Sequence, residues 1–239
     1  MKFNKKKFAL EYERRLSGEG YPGNLLNIII DEVKDAETII DLGAGTGFYS
    51  IPLAKKGYSI IAVEPSYEML KILKGKIDDK LSPFISLHNV DWESWQGDWA
   101  DILISVHSIY GISSTKEAIK KMQNYSGKTI LIIKANSESR TLSALIKNRL
   151  NINRCSSNFT SKVLIALDDL KINFSSREIE QKRESVFFDL SKEAEYYCYH
   201  LDVERGKIDL VRSIIEENSE NHGDRYIFKA LYRDLLITF

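Results

Sequence analysis

Cysteine is scarce in this sequence, and so are the patterns that usually accompany it. The 239 residues include only Cys155 and Cys198, which are far apart and form no CxxC motif. Together with the four histidines they match no zinc-binding spacing. Unpaired thiols are typical of proteins in a reducing compartment. We therefore expect free cysteines and no metal site.

An excess of either charge is also missing. Lysine and arginine total 34, aspartate and glutamate total 34, and the formal net charge is zero, which weakens the case for a broad nucleic-acid surface. The basic segment 1–15 is followed by no apolar stretch of the kind found in signal peptides, and no run approaches the roughly 18 apolar residues of a membrane helix. The sequence predicts a soluble, cytoplasmic protein without a membrane partner, and it leaves the oligomeric state open.

Short, β-branched apolar runs alternate with helical segments through the first half of the chain. Five such runs lie at 38–42, 59–63, 84–87, 101–106 and 129–133. Continuous apolar strands separated by helices are typical of a parallel sheet that is covered on both faces. In such sheets ligands bind outside the carboxyl ends of the strands, where the strand order reverses.

After residue 135 this alternation ends. Segments 137–177 and 191–217 are mainly helical and are predicted to form a cap, while 178–190 and 226–239 are predicted to be late, antiparallel strands. The prediction is one α/β domain over 1–239 with a doubly wound, Rossmann-like sheet of seven strands, mostly parallel, the last one antiparallel. It consists of leading helices at 1–37, a cofactor-binding core at 38–135, and the helical cap with the final strands at 136–239.

A glycine-rich turn follows the first strand. It contains Gly43, Gly45 and Gly47 in the sequence DLGAGTGF, with Asp41 just before the turn. A dinucleotide-binding turn would need its third glycine where Phe48 stands, and the GK[ST] of a P-loop is absent. The N–H groups at the start of the following helix favour an anion, whereas Asp41 would repel a pyrophosphate and attract a cation. S-adenosylmethionine, with its carboxylate, ammonium and sulfonium groups, fits this combination.

The motif DLGAGTG at 41–47, followed by VEPS at 63–66 and by Asp91 after the third strand, resembles the cofactor site of class I S-adenosylmethionine-dependent methyltransferases. The resemblance covers 38–135 strand for strand and extends loosely to both ends of the chain. The wider pattern is similar to a subgroup of small bacterial or archaeal methyltransferases, from which no substrate can be carried over.

The resemblance implies how the methionine and ribose groups of the cofactor would be held. Glu64 would accept hydrogen bonds from both ribose hydroxyls, because a carboxylate can take two side by side. Asp41 would hold the methionine amino group, directly or through water. The turn itself comprises Gly43, Ala44, Gly45 and Gly47.

The resemblance also implies an adenine side and an aromatic lid. Pro65 and Met69 would border the adenine, and Asp91 would accept its amino group. Trp92 would contribute either a backbone N–H or a ring face. Tyr12 and Tyr21 precede the first strand; each either closes over the methionine end, where a ring attracts a sulfonium, or packs in the core.

His107 and Tyr110 follow the fourth strand, where the family places residues that face the acceptor. His107 is either a general base or a histidine that only packs beside the cofactor, and Tyr110 either orients a substrate, contacts the cofactor or packs in the core. No [DNS]-P-P-[YFW] motif of adenine-N6 or glutamine methyltransferases is present, and neither cysteine is placed as the nucleophile of a cytosine-C5 enzyme.

The predicted function is the transfer of a methyl group from S-adenosylmethionine to a small-molecule acceptor. One alternative is an RNA or protein methyltransferase, against which the neutral charge and the helical cap argue. A second is a catalytically silent S-adenosylmethionine-binding subunit with a regulatory role. A third, a nucleotide-binding oxidoreductase, is disfavoured by Phe48 and Asp41.

Overall fold

The computed structural model describes residues 5–152 and 159–239. The helices are α1 to α9 in chain order: Lys6–Gly18, Asn24–Val33, Ser50–Ala54, Tyr67–Lys74, Thr115–Tyr125, Leu142–Arg149, Phe159–Asp169, Leu190–Leu201 and Ile208–Asn218. The strands are β1 to β8: Thr38–Leu42, Ser59–Val63, Ile85–His88, Ala100–Val106, Ser126–Lys134, Ser175–Phe187, Glu220–Asn221 and Tyr226–Thr238. In the described part of the chain, no helix is long and apolar enough to cross a membrane.

The strands form one mixed sheet with the order β3-β2-β1-β4-β5-β8-β6. Strands β1 to β5 pair in parallel, and β8 is antiparallel to both β5 and β6. The strand order reverses between β1 and β4, so the carboxyl ends of these strands form the expected ligand crevice. The predicted Rossmann-like sheet with an antiparallel late strand is confirmed. The two-residue β7, which pairs with β8, was not predicted.

Each face of the sheet carries its own hydrophobic core. On one face, α2, α3 and α4 contribute Leu25, Leu53 and Leu73 to a cluster that includes Ile39 and Ile104. On the other face, a second cluster contains residues of α5 and α7 with the indoles of Trp92 and Trp95. Burial of β-branched side chains on both faces explains why the parallel strands have continuous apolar sequences.

Strands β6 and β8 are longer than the others and extend past the last residue of β5. Lys134 of β5 pairs with Asp234, whereas 180–187 of β6 and 226–233 of β8 continue as a two-stranded extension, here called the ribbon. Helices α6, α8 and α9 pack against the ribbon in a third apolar cluster. Helix α7, expected in the same cap, instead packs beside α5 on the second core, because its buried side chains match that surface.

Helix α1 joins the cofactor half of the molecule to this third cluster. Arg15 forms a mostly buried ion pair with Glu193 of α8 at 2.6 Å, and Glu13 pairs with Lys76, just after α4, at 2.7 Å. The chain therefore has a helix stretched across the carboxyl ends of the central strands.

Two local details complete the fold. Helix α4 ends at Lys74 and is followed by a turn, in which the Asp78 carboxylate accepts the backbone N–H groups of Lys80 and Leu81. Cys198 is free and buried. Cys155 lies outside the described residues.

Candidate functional site

The glycine turn after β1 is shaped by close packing. Gly43, Gly45 and Gly47 all have positive φ, at 75°, 55° and 90°, which glycine adopts without steric cost. A Cβ on Gly43 would lie 2.2 Å from Ser108 Cβ, and one on Gly47 would lie 2.3 Å from Leu73 Cδ1. A Cβ on Gly45 would meet nothing nearer than 3.9 Å. Gly43 and Gly47 are thus required by protein contacts, whereas Gly45 lies where the turn is open.

Glu64 lies directly after β2 and beside this turn. Its side chain is largely buried, and its two carboxylate oxygens accept N–H groups from Gly45 at 2.9 Å and from Ser66 at 2.8 Å. Burial raises the pKa of the Glu64 carboxyl, and these two hydrogen bonds oppose the rise. Each carboxylate oxygen has a further lone pair, so the group can still accept two hydroxyl donors.

Asp41 is the second buried carboxyl group of the site. It is 2% exposed and accepts a hydrogen bond from the Ser50 hydroxyl at 2.5 Å. Burial raises the pKa of Asp41 to about 6, opposed by the Ser50 bond and reinforced by the charge of Glu64. Among the described residues no basic side chain forms an ion pair with Asp41. A buried carboxylate without a cation is poised to receive one.

The residues expected around adenine lie beyond Glu64. Pro65 is exposed, and its carbonyl accepts a hydrogen bond from the Asn89 amide at 3.1 Å. Met69 is buried, and its N–H donates to Ser66 Oγ at the start of α4. The Asp91 carboxylate is exposed and accepts the Ser94 N–H at 2.7 Å, which lowers the pKa of Asp91.

The structure contradicts one of the two roles predicted for Trp92. Its indole is 2% exposed, lies in the second core stacked on Trp95 with ring centroids 5.3 Å apart, and donates to the Ala118 carbonyl at 3.3 Å. The prediction that its ring face borders the ligand is therefore wrong, since the ring is enclosed by apolar side chains. The backbone N–H role stays a prediction.

Tyr12 and Tyr21 lie on the cofactor side of α1 and of the following loop. Burial raises the pKa of Tyr12 to about 12, and the nearby charge of Glu64 contributes to that rise. Tyr21 contacts the edges of Phe48 and Tyr49, with ring centroids 5.0 and 5.9 Å apart. The structure thus places Tyr12 near Glu64 and Tyr21 beside the residues that follow the glycine turn, and the role of both rings at the methionine end stays a prediction.

His107 follows β4 and has a positive φ of 55°, a strained conformation that is concentrated at functional sites. Its Nε2 lies 3.4 Å from Asp234 Oδ2, and its Nδ1 lies 3.2 Å from the Tyr110 hydroxyl. That hydroxyl accepts the Lys134 N–H at 2.8 Å and is therefore free to donate its own proton to Nδ1. Asp234 is 2% exposed. The imidazole is held between a buried carboxylate and a phenol.

Sequence reasoning did not identify the polar wall that β6 and β8 supply. Gln181 and Asp234 are buried and hydrogen-bonded to each other, and Arg183 and Tyr232 lie on the same face of the ribbon. The alternation in 179–187 was visible in the sequence, where polar residues occupy positions that face inward. Polar side chains on a buried strand face are a usable signal for the wall of a site.

Comparison with known proteins agrees with this geometry. Residues 39–126 match the family model described as a methyltransferase domain. A segment of 56 residues is 43% identical to a probable ribosomal RNA small subunit methyltransferase A of Methanosphaera stadtmanae, covering 23% of this chain. The match spans only 21% of the length of that curated relative.

Two solved structures show the same fold over most of the chain. A candidate S-adenosylmethionine-dependent methyltransferase from Methanococcus maripaludis is 23% identical, with 74% of this chain and 88% of that chain covered and a TM-score of 0.57. A candidate methyltransferase of an antibiotic biosynthesis pathway from Anabaena variabilis is 16% identical, with 90% and 96% covered and a TM-score of 0.63.

The glycine turn and the two buried carboxyl groups lie together at the switch point of an α/β sheet. With the family match, residues 39–126 belong to a class I S-adenosylmethionine-dependent methyltransferase domain.

Proposed function

We propose that the protein transfers a methyl group from S-adenosylmethionine to a small-molecule acceptor. The observation that carries the proposal is the pair of buried carboxyl groups, Asp41 and Glu64, on either side of the open position at Gly45. Asp41 would pair with the ammonium group and Glu64 with the ribose hydroxyls. The turn from Gly43 to Gly47 leaves room for the ligand between them.

The remaining predicted residues are proposed to complete the cofactor site. Pro65 and Met69 would border the adenine, while Asp91 and the Trp92 N–H would bind its edge. Tyr12 and Tyr21 would cover the methionine end, where aromatic faces attract a sulfonium.

A small-molecule acceptor is supported by the surroundings of His107. Helix α1 crosses the crevice and is fixed by the Arg15–Glu193 ion pair, while the ribbon walls its far side. These neighbouring elements and the zero net charge support a small acceptor over a duplex or a folded protein. An RNA acceptor is the second candidate, favoured by the 43% identity to the ribosomal RNA enzyme over 56 residues.

The proposed chemistry is in-line attack of an acceptor atom on the sulfonium methyl group. The sulfonium is a good leaving group, so this chain mainly aligns the two reactants and excludes water. His107 would take the acceptor proton on Nδ1, because Nε2 keeps its own proton directed at Asp234. Tyr110 would hold the imidazole until the acceptor binds.

We expect methyl transfer to appear in the small-molecule fraction of a cell extract. The protein is incubated with S-adenosylmethionine carrying a tritiated methyl group and with separated metabolite, RNA and protein fractions. Label in the RNA or protein fraction alone would contradict a small-molecule acceptor. Label in no fraction, despite cofactor binding, would favour the silent subunit.

We expect Glu64→Ala to weaken S-adenosylhomocysteine binding by about 1–3 kcal/mol, roughly 5- to 150-fold in Kd, because hydrogen bonds to a charged group are lost. Calorimetry of the unaltered protein should give a micromolar Kd for this ligand and no binding of NAD. The matched control is Glu37→Ala, at the opposite end of the sheet, which should leave Kd unchanged. Equal affinity in Glu64→Ala would mean that Glu64 does not hold the ribose.

A further inference from the structure

The ribbon presents a cation, Arg183, on the face that also carries Gln181 and Asp234. Arg183 projects from β6, on the same face as Gln181 and next to Tyr232 of β8. We propose that Arg183 binds an oxyanion group, a carboxylate or a phosphate, on the methyl acceptor. This inference rests on the proposed methyltransferase function and adds the chemical class of the substrate.

The guanidinium group of Arg183 is held in a fixed orientation. Its Cζ lies 4.7 Å from the ring centroid of Tyr21 and 4.3 Å from that of Tyr232. One terminal nitrogen donates to Gln181 Oε1 at 2.9 Å. Two aromatic faces and one hydrogen bond position the planar fork but leave most of its five N–H donors for other partners.

The charge of Arg183 is not neutralised within the described residues. Its Nε is buried and has no hydrogen-bond partner there, and no carboxylate of the described chain lies within ion-pair distance. The charge of Glu19 interacts with Arg183, but the Glu19 carboxylate forms no ion pair with the guanidinium and accepts the Ser185 hydroxyl at 2.8 Å. Arg183 is half-buried, so a directly paired anion would stabilise it. An oxyanion from the ligand would supply the missing partner, and a guanidinium binds one with two parallel hydrogen bonds.

Hydrogen bonds connect this cation to the proposed base. Gln181 accepts from Arg183 through Oε1 and donates through Nε2 to Asp234, whose Oδ2 lies 3.4 Å from His107 Nε2. The positions of the guanidinium and the imidazole are thereby fixed relative to each other. An acceptor with an anionic end and a nucleophilic atom fits between them.

The strand order places Arg183 on the acceptor side of the proposed site, although its guanidinium also contacts Tyr21. Asp41 and Glu64 follow β1 and β2, whereas β6 is the far edge of the sheet, with β4, β5 and β8 between β1 and β6. His107, after β4, lies between the two sets. The hydrogen-bond chain from Arg183 through Gln181 and Asp234 to His107 assigns the anion to the acceptor, and the S-adenosylhomocysteine affinity of Arg183→Gln tests the carboxylate of the cofactor as the alternative.

The test uses benzoate, phenyl phosphate and the neutral benzamide as probes of the protein saturated with S-adenosylhomocysteine. We expect calorimetry to detect at least one of the two anions but not benzamide. Arg183→Gln should weaken that binding at least tenfold and leave the Kd of S-adenosylhomocysteine unchanged. The matched control is Arg177→Gln, on the same strand but exposed and paired with Glu32, which should bind the anion normally.

Other outcomes overturn the proposal. These are no binding of either anion, equal binding of benzamide, or unchanged anion binding in Arg183→Gln. Weaker S-adenosylhomocysteine binding in this variant would assign Arg183 to the cofactor instead. If Arg183→Gln does not fold, Arg183→Lys keeps the charge without the fork and should still lose several-fold in anion affinity. Absence of S-adenosylhomocysteine binding in the unaltered protein would instead reject the proposed function itself.

Discussion

Asp41→Asn is expected to stabilise the cofactor-free protein near neutral pH and at the same time to weaken cofactor binding. Burial raises the pKa of Asp41 from 3.8 to about 6. One pKa unit corresponds to about 1.4 kcal/mol, so ionising this carboxyl group costs the folded state on the order of 3 kcal/mol. Asparagine removes the charge, and its carboxamide oxygen can still accept the Ser50 hydroxyl.

The pH dependence of this effect has a definite sign. Between pH 4 and 6 the folded protein binds the Asp41 proton and the unfolded chain releases it, since the folded-state pKa is the higher one. The contribution of Asp41 to the free energy of unfolding therefore falls as pH rises through this window and stays low above it. The extra stability of Asp41→Asn relative to the unaltered protein should therefore develop between pH 4 and 6. Urea unfolding at about pH 5 and pH 7.5 measures the difference between the two proteins.

Bound cofactor should instead favour the ionised form of Asp41. An ammonium group beside Asp41 favours the carboxylate, so S-adenosylhomocysteine affinity should rise with pH through about 6 in the unaltered protein. In Asp41→Asn the affinity should be about 10- to 150-fold lower at pH 7.5, as expected for a lost charged hydrogen bond, and this rise should be absent. Ser50→Ala is the matched control: it keeps the carboxyl group but loses the hydrogen bond that favours its anion, which should move the midpoint to higher pH. Tight, pH-independent binding by Asp41→Asn would place the ammonium elsewhere.

The relative positions of the residues proposed to bind the cofactor were predictable because these residues are local in sequence. Asp41 and the three glycines occupy one turn, and Glu64 ends the next strand, which pairs with β1 in parallel register. Apolar strand runs fix that register, since a one-residue slip would turn every buried side chain to the other face.

The acceptor half depends on contacts that are distant in sequence. Asp234 reaches His107 only because β8 inserts antiparallel between β5 and β6, with Asp234 opposite both Lys134 and Ile179. Nothing local in either segment specifies that alignment. The position of helix α7 also depends on distant contacts. Its apolar face is compatible with packing in a cap or on the sheet, and the contact with α5 determines that it packs on the sheet.

His107→Gln is expected to slow methyl transfer by about 10²- to 10⁴-fold, the usual contribution of a positioned general base. Cofactor affinity should be retained, since His107 is not part of the glycine turn. The measurement is single-turnover transfer to the acceptor that the tritium experiment identifies. Full activity in His107→Gln would show that the acceptor needs no base.

A substitution at Asp234 tests the role of His107 as a base without removing the imidazole. It is a positioning residue: Gln181 donates to Asp234 Oδ2, and the same carboxylate faces His107 Nε2. In Asp234→Asn the carboxamide oxygen can take the place of Oδ2, the oxygen that both Gln181 and His107 approach, so the contacts are kept while the negative charge is lost. The imidazolium that forms when His107 takes the substrate proton is then less stable. The maximal rate should fall while KM changes little. Tyr110→Phe keeps the ring but frees Nδ1, so it should remain active, and equal losses in both variants would point to a packing defect instead.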